Sequence, residues 1–159
     1  MSVATANVMV PAAPAPTTVE ALPPPLPQPL PATSLSVALI QTALTLVGTP
    51  YRFGGESPDT GFDCSGFVGY VMRQHSVFIP RTVVEQFQAG KSVAQADVQP
   101  GDLVFFSTVG PGATHVGIVI STSARWEFVH APADGSSVRV ERFDTGYWQQ
   151  RWIGARRVF

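Results

Sequence analysis

Nine of the fifteen prolines fall within the first 33 of 159 residues, at positions 11, 14, 16, 23, 24, 25, 27, 29 and 31. Alanine and threonine fill much of the space between them, and Glu20 is the only charge in that stretch. Such a segment favours extended polyproline II backbone and cannot bury a core. Residues 1–33 are therefore expected to form a semi-rigid arm, and residues 34–159 a single domain of ordinary size. No lysine or arginine precedes Arg52, and prolines interrupt every apolar run before Leu35, so neither a signal-peptide pattern nor a membrane span is expected in the chain as written. A leader removed ahead of Met1 leaves the same picture.

The remainder is built to fold. Hydrophobic residues make up 45% of the chain and charged ones 13%, against about 25% charged in an average globular protein. With a net charge of −1 and Lys91 as the only lysine, nothing supplies the basic footprint that a nucleic acid requires. The single cysteine makes no internal disulfide and leaves the redox compartment open.

Taken in order, Val37, Ile40, Leu44 and Val47 recur at helical spacing, with Thr33 or Ser34 placed to cap the helix and Gly48 to end it. Residues 48–62 hold glycines at 48, 54, 55 and 61 and prolines at 50 and 58, a loop too broken for a helix or a long strand. A second helix is expected to start at Cys64, with Asp63 as its N-cap and Phe67, Val68, Val71 and Met72 on its buried face. His75 falls in its last turn, where the helix dipole alone accounts for a histidine. A short helix opens at Pro80-Arg81-Thr82, with Thr82 and Glu85 spaced as a capping box and Val84 and Phe87 available to the core. Strand patterns follow at 103–106, 115–122, 126–131, 138–142 and 152–158. Helices first and closely connected strands afterwards argue an α+β domain, a helical layer packed on a central antiparallel sheet.

One constellation in this pattern carries chemistry. A thiol at a helix start faces free backbone N–H groups that favour thiolate, while the neighbouring Asp63 charge opposes it, so a nearby imidazole must decide. His115 begins one strand and His130 closes the next, with Gly117 leaving room on the same face as His115. Cys64 is then the nucleophile, His115 the base and acid, and His130 the group that orients His115. A zinc site from the same three residues fails on spacing, since paired ligands usually lie within a few residues of each other. No metal and no cofactor is therefore expected.

Residues 48–159 resemble the NlpC/P60 family of papain-like cell-wall cysteine peptidases. The resemblance rests on Gly48-Thr49-Pro50-Tyr51-Arg52-Phe53-Gly54-Gly55, Phe62-Asp63-Cys64-Ser65-Gly66-Phe67-Val68 and Ile79-Pro80-Arg81-Thr82. It continues through Gly101-Asp102-Leu103-Val104-Phe105-Phe106, His115-Val116-Gly117-Ile118-Val119 and Phe128-Val129-His130-Ala131. It implies a catalytic triad of Cys64, His115 and His130, and as substrate the stem peptide of peptidoglycan, cut between γ-D-glutamate and the diamino acid that follows. It further implies that Tyr51 helps hold the oxyanion, that Asp63 and Ser65 hold the free amine of the stem peptide, and that Arg81 pairs with a substrate carboxylate. The cell envelope is the implied location. Val83 departs from the family pattern, which often has serine there. Two other readings compete with a peptidase: a papain-like amidase or acyltransferase using the same thiol, and a wall-peptide binding module with little activity.

Overall fold

The computed structural model describes residues 9–15, 23–26, 28 and 31–159. Most of the proline-rich arm therefore lies outside the described residues. Helix α1 spans Ala32–Thr45 and so begins inside the stretch assigned to the arm. Neither Thr33 nor Ser34 caps it: Pro31, in extended backbone, occupies the N-cap position without a side-chain bond.

The face that α1 buries also differs from the expected one. Leu39 and Ala43 are fully buried, with Leu35 and Leu46 packed beside them, whereas Val37 is 52% exposed and Leu44 and Val47 also face outward. The cause lies in the sequence, because α1 carries apolar residues on nearly every side and the 3.6-residue period cannot select one stripe.

Two two-residue strands, β1 (Glu56–Ser57) and β2 (Gly61–Phe62), form a small hairpin in the loop ahead of helix α2 (Cys64–Gln74). Helix α2 buries Phe67, Val68, Val71 and Met72 as its periodicity requires. At its C-cap, His75 Nε2 lies 2.7 Å from Thr42 Oγ1, which ties α2 to α1 and gives that histidine a structural duty. Helix α3 (Val83–Gln86) is capped by Thr82, but it is Val83, Gln86 and Phe87 that turn inward while Val84 stays exposed.

Six strands complete the domain: β3 (Lys91–Val93), β4 (Leu103–Phe106), β5 (His115–Ser121), β6 (Glu127–His130), β7 (Arg139–Arg142) and β8 (Trp152–Arg157). They form one antiparallel sheet in the order β3-β8-β4-β5-β6-β7. Strand β4 is buried along its whole length because both faces of the sheet are covered, which explains its unbroken apolar run. Leu103 and Phe105 join the core under α1 and α2; Val104 and Phe106 join a second core with Phe128, Phe143 and Trp148. That second core lies under helix α4 (Gly146–Arg151), which the sequence pattern did not announce. Burying each such aromatic or aliphatic side chain is worth about 1.5–3 kcal/mol. The α+β architecture is as expected, with a second covered face added. No helix among the described residues is long and apolar enough to cross a membrane.

Candidate active site

The N-terminus of α2 meets the beginning of β5, and this junction brings the thiol to the imidazole. Asp63 sits in extended backbone at the N-cap, and its Oδ1 accepts from the Gly66 N–H at 2.7 Å. A cap of this kind is worth about 1 kcal/mol and fixes where the helix starts, hence where Cys64 points. Gly66 has to be a glycine: a Cβ there would stand 2.0 Å from the Gly55 carbonyl oxygen, so any side chain would push the loop off the helix. The preceding loop is thereby held against α2, and Tyr51 and Phe53 join Cys64 in lining a groove of about 380 Å³. Val83, Thr108, Thr114 and His115 line it too.

Burial, and then the Asp63 charge, push the Cys64 thiol up to about 11 from an ordinary value of 9.0. The backbone N–H groups of Val116, Ser65 and Cys64 touch the sulfur and pull the other way without prevailing. The helix N-terminus therefore does not make the thiolate by itself. The imidazole shows the mirror image, since burial, reinforced by His130, drives His115 down to about 3 while Glu141 opposes the shift. Burial thus disfavours the charged form of each group taken alone. A proton passing from sulfur to ring creates both charges together, and each offsets the burial that disfavours the other.

His115 and His130 are diagonal neighbours on β5 and β6, where Ile118 pairs with Val129 and Val119 with Phe128. Gly117 makes the approach possible: a Cβ there would lie 3.3 Å from His130 Cβ and 2.8 Å from the Phe128 ring. His115 Nε2 sits 2.6 Å from His130 Nδ1, and His130 Nε2 bonds in turn to Glu141 Oε2 on β7. Burial holds His130 below its ordinary value even though the Glu141 bond pulls it up. Burial alone would raise Glu141; its bond to His130, with help from Arg139, outweighs that and leaves the carboxyl below its ordinary range. Trp148 closes the histidine pair from α4, with its ring 5.6 Å from His115 in a stacked arrangement and 5.1 Å from His130 edge-on. Neither Glu141 nor Trp148 stood out in the sequence.

The four residues expected to touch substrate lie on the thiol side. Arg81 donates through Nη2 to Asp63 Oδ2 at 2.8 Å, and through Nη1 to Asp63 Oδ1 at 3.1 Å and Ser65 Oγ at 2.8 Å. Its Nε stands 3.2 Å from Glu56 Oε1. Every nitrogen of the guanidinium is thus engaged within the protein, which leaves no free fork for a substrate carboxylate. Two carboxylates against one guanidinium leave the cluster net negative. The Tyr51 hydroxyl is held above its ordinary value by burial and by the nearby Cys64 and Asp63. Among the described residues, no three His, Cys, Asp or Glu side chains cluster in a way that would hold a metal ion.

The model of the NlpC/P60 family matches residues 48–157, and the chain belongs to that family. It is similar to the murein DD-endopeptidase MepH of Escherichia coli, at 40% identity over 116 residues, 70% of this chain and 42% of the relative. It is also similar to the gamma-DL-glutamyl hydrolase of Bacillus subtilis, at 37% identity over 129 residues, 80% of this chain and 30% of the relative. Among solved structures, an NlpC/P60 family protein from Bacillus cereus superposes with a TM-score of 0.71 at 34% identity, covering 77% of this chain and 40% of that one. The chain thus spans less than half the length of each of these three.

Proposed function

We propose that this chain is a cysteine endopeptidase that cleaves peptidoglycan stem peptides at the bond between γ-D-glutamate and the following diamino acid, through a thioester on Cys64. The observation that carries the reading is one arrangement: Cys64 and His115 line the same groove, His130 Nδ1 lies 2.6 Å from His115 Nε2, and Glu141 bonds His130 from behind. His115 Nδ1 takes the thiol proton as Sγ attacks the γ-carbonyl carbon, and the oxyanion is received by the Cys64 N–H and the Tyr51 hydroxyl. The same ring nitrogen then gives its proton to the leaving amine. Water, deprotonated by His115, hydrolyses the thioester and restores the thiol.

Specificity follows from the charge beside the nucleophile. The net negative cluster of Asp63, Glu56 and Arg81 suits an ammonium, and the acyl fragment L-Ala-γ-D-Glu ends in one. Arg81 in this scheme sets the shape and charge of the cluster and does not itself grip a carboxylate. A substrate of this kind places the enzyme in the bacterial cell envelope.

The MepH relative, a murein DD-endopeptidase by name, favours a second reading, cleavage of the DD crosslink between stems. Digestion of stem peptides freed from the glycan, monomeric and crosslinked, separates the two by product mass. Cleavage at the γ-D-glutamyl bond releases the dipeptide L-Ala-D-Glu, whereas DD cleavage turns crosslinked dimers into intact monomers. Release of neither product by the wild-type protein would leave the binding-module reading standing.

A further inference from the structure

We propose that Glu141 is a positioning residue of the catalytic relay: through His130 it selects which nitrogen of His115 is free to act as the base. The proposal rests on the cysteine-peptidase reading and concerns the part of the site farthest from the thiol. His130 is fully buried, and both of its ring nitrogens are occupied, Nδ1 by His115 Nε2 at 2.6 Å and Nε2 by Glu141 Oε2. A neutral imidazole carries one N–H, and an ionised carboxylate only accepts. The His130 proton must therefore sit on Nε2, which leaves Nδ1 as an acceptor. His115 must then donate to it from its own Nε2–H, and the lone pair of His115 Nδ1 remains for the thiol. One carboxylate sets two tautomers in series.

Without that carboxylate, His130 is free to place its proton on Nδ1 and donate to His115 Nε2. His115 then carries its proton on Nδ1, facing the thiol, and has no lone pair with which to take another. Arg139 makes Glu141→Gln a sharp probe of this logic. Its Nη2 lies 3.4 Å from Glu141 Oε1, so an amide would turn its oxygen to Arg139 and its NH₂ to His130 Nε2, enforcing the wrong tautomer. Glu141→Gln keeps the size and a hydrogen bond, whereas Glu141→Asp keeps the charge.

The chain has only three histidines, so ring nitrogens in the ¹⁵N-histidine-labelled full chain can be assigned by NMR without any substrate. The expected result is Nε2–H on both His115 and His130 in the wild type, and a switch of His130 to Nδ1–H in Glu141→Gln. On L-Ala-γ-D-Glu-diaminopimelate, Glu141→Gln and Glu141→Ala should lose about 10- to 100-fold in kcat with KM within about twofold, while Glu141→Asp retains more activity than either. Wild-type activity in Glu141→Gln, or an Nδ1–H on His130 in the wild type, overturns the proposal. A residue that merely staples β7 to β6 would give the reverse ranking, with the isosteric Glu141→Gln the most active variant. If Glu141→Gln does not fold, the wild-type tautomers and Glu141→Asp decide. If the wild type leaves the tripeptide intact, the choice of bond is wrong while the tautomer measurement still stands or falls alone.

Discussion

The sulfur and the imidazole are held in surroundings of opposite kind. Around Cys64 the groups are polar and charged: Asp63 and Ser65 line the groove, and Arg81, paired with Glu56, is hydrogen-bonded to both of them. Around His115 they are dry and aromatic, with Trp148, Phe106 and the fully buried His130 packed against the ring and a single carboxylate behind them. The difference teaches which half does what. Charges in a half-open cluster are suited to recognition, because they can exchange water for a ligand; a buried ring packed among aromatic neighbours and held by one hydrogen bond keeps one tautomer and one orientation, as proton transfer demands.

Substitutions on the dry side should therefore strike kcat, and substitutions on the charged side KM. The largest effect belongs to His115→Ala, which removes the proposed base and acid at once and should lower kcat by at least about 10³-fold with the fold intact by circular dichroism. A folded His115→Ala variant within tenfold of wild type would erase the distinction between the two sides.

His130 sharpens it further. Its proposed role is to accept from the His115 Nε2–H through Nδ1, so a replacement that puts an oxygen at that point should serve. The amide oxygen of His130→Asn reaches the position of Nδ1, whereas that of His130→Gln extends to that of Nε2. Initial rates are expected in the order wild type, His130→Asn, His130→Gln, His130→Ala, with the last down about 10- to 100-fold and still above His115→Ala. Should a folded His130→Asn be as inactive as His115→Ala, His130 handles protons or substrate directly.

Arg81→Ala tests the charged side and carries the smallest effect. The guanidinium is more than a third exposed and screened, so stability should fall by no more than about 1 kcal/mol. Loosening Asp63 should raise KM by about 3- to 10-fold with kcat changed less. A fall in kcat with KM unchanged would show that the cluster serves the chemistry and not recognition.

The two sides also differ in how far the sequence disclosed them. The thiol side is local: cap, nucleophile, hydroxyl and glycine occupy positions 63 to 66, and the helical period that follows dates the helix start to Cys64. The histidines were legible because each ends or begins an alternating strand. Glu141 was not, since its place beside His130 comes from the register of β6 on β7, which pairs His130 with Arg139 and Phe128 with Glu141 and is set by tertiary packing. Trp148 was hidden for a similar reason, lying on a six-residue helix that has no side-chain cap to announce it. How the opposing influences on the thiol balance was not legible, being a matter of magnitude: three backbone N–H groups are outweighed by burial and one carboxylate. The helix α1 face failed because the pattern there is apolar all round.

The covalent intermediate is the point on which both sides of the site converge. The 159-residue chain is mixed with L-Ala-γ-D-Glu-diaminopimelate in the presence of hydroxylamine, and the products are weighed by mass spectrometry. A thioester on Cys64 partitions between water and the stronger nucleophile. The expected result is free diaminopimelate together with the γ-hydroxamate of L-Ala-D-Glu, and neither with Cys64→Ala. Cleavage that yields only the free dipeptide acid at saturating hydroxylamine, or that survives in Cys64→Ala, contradicts catalysis through the thiol.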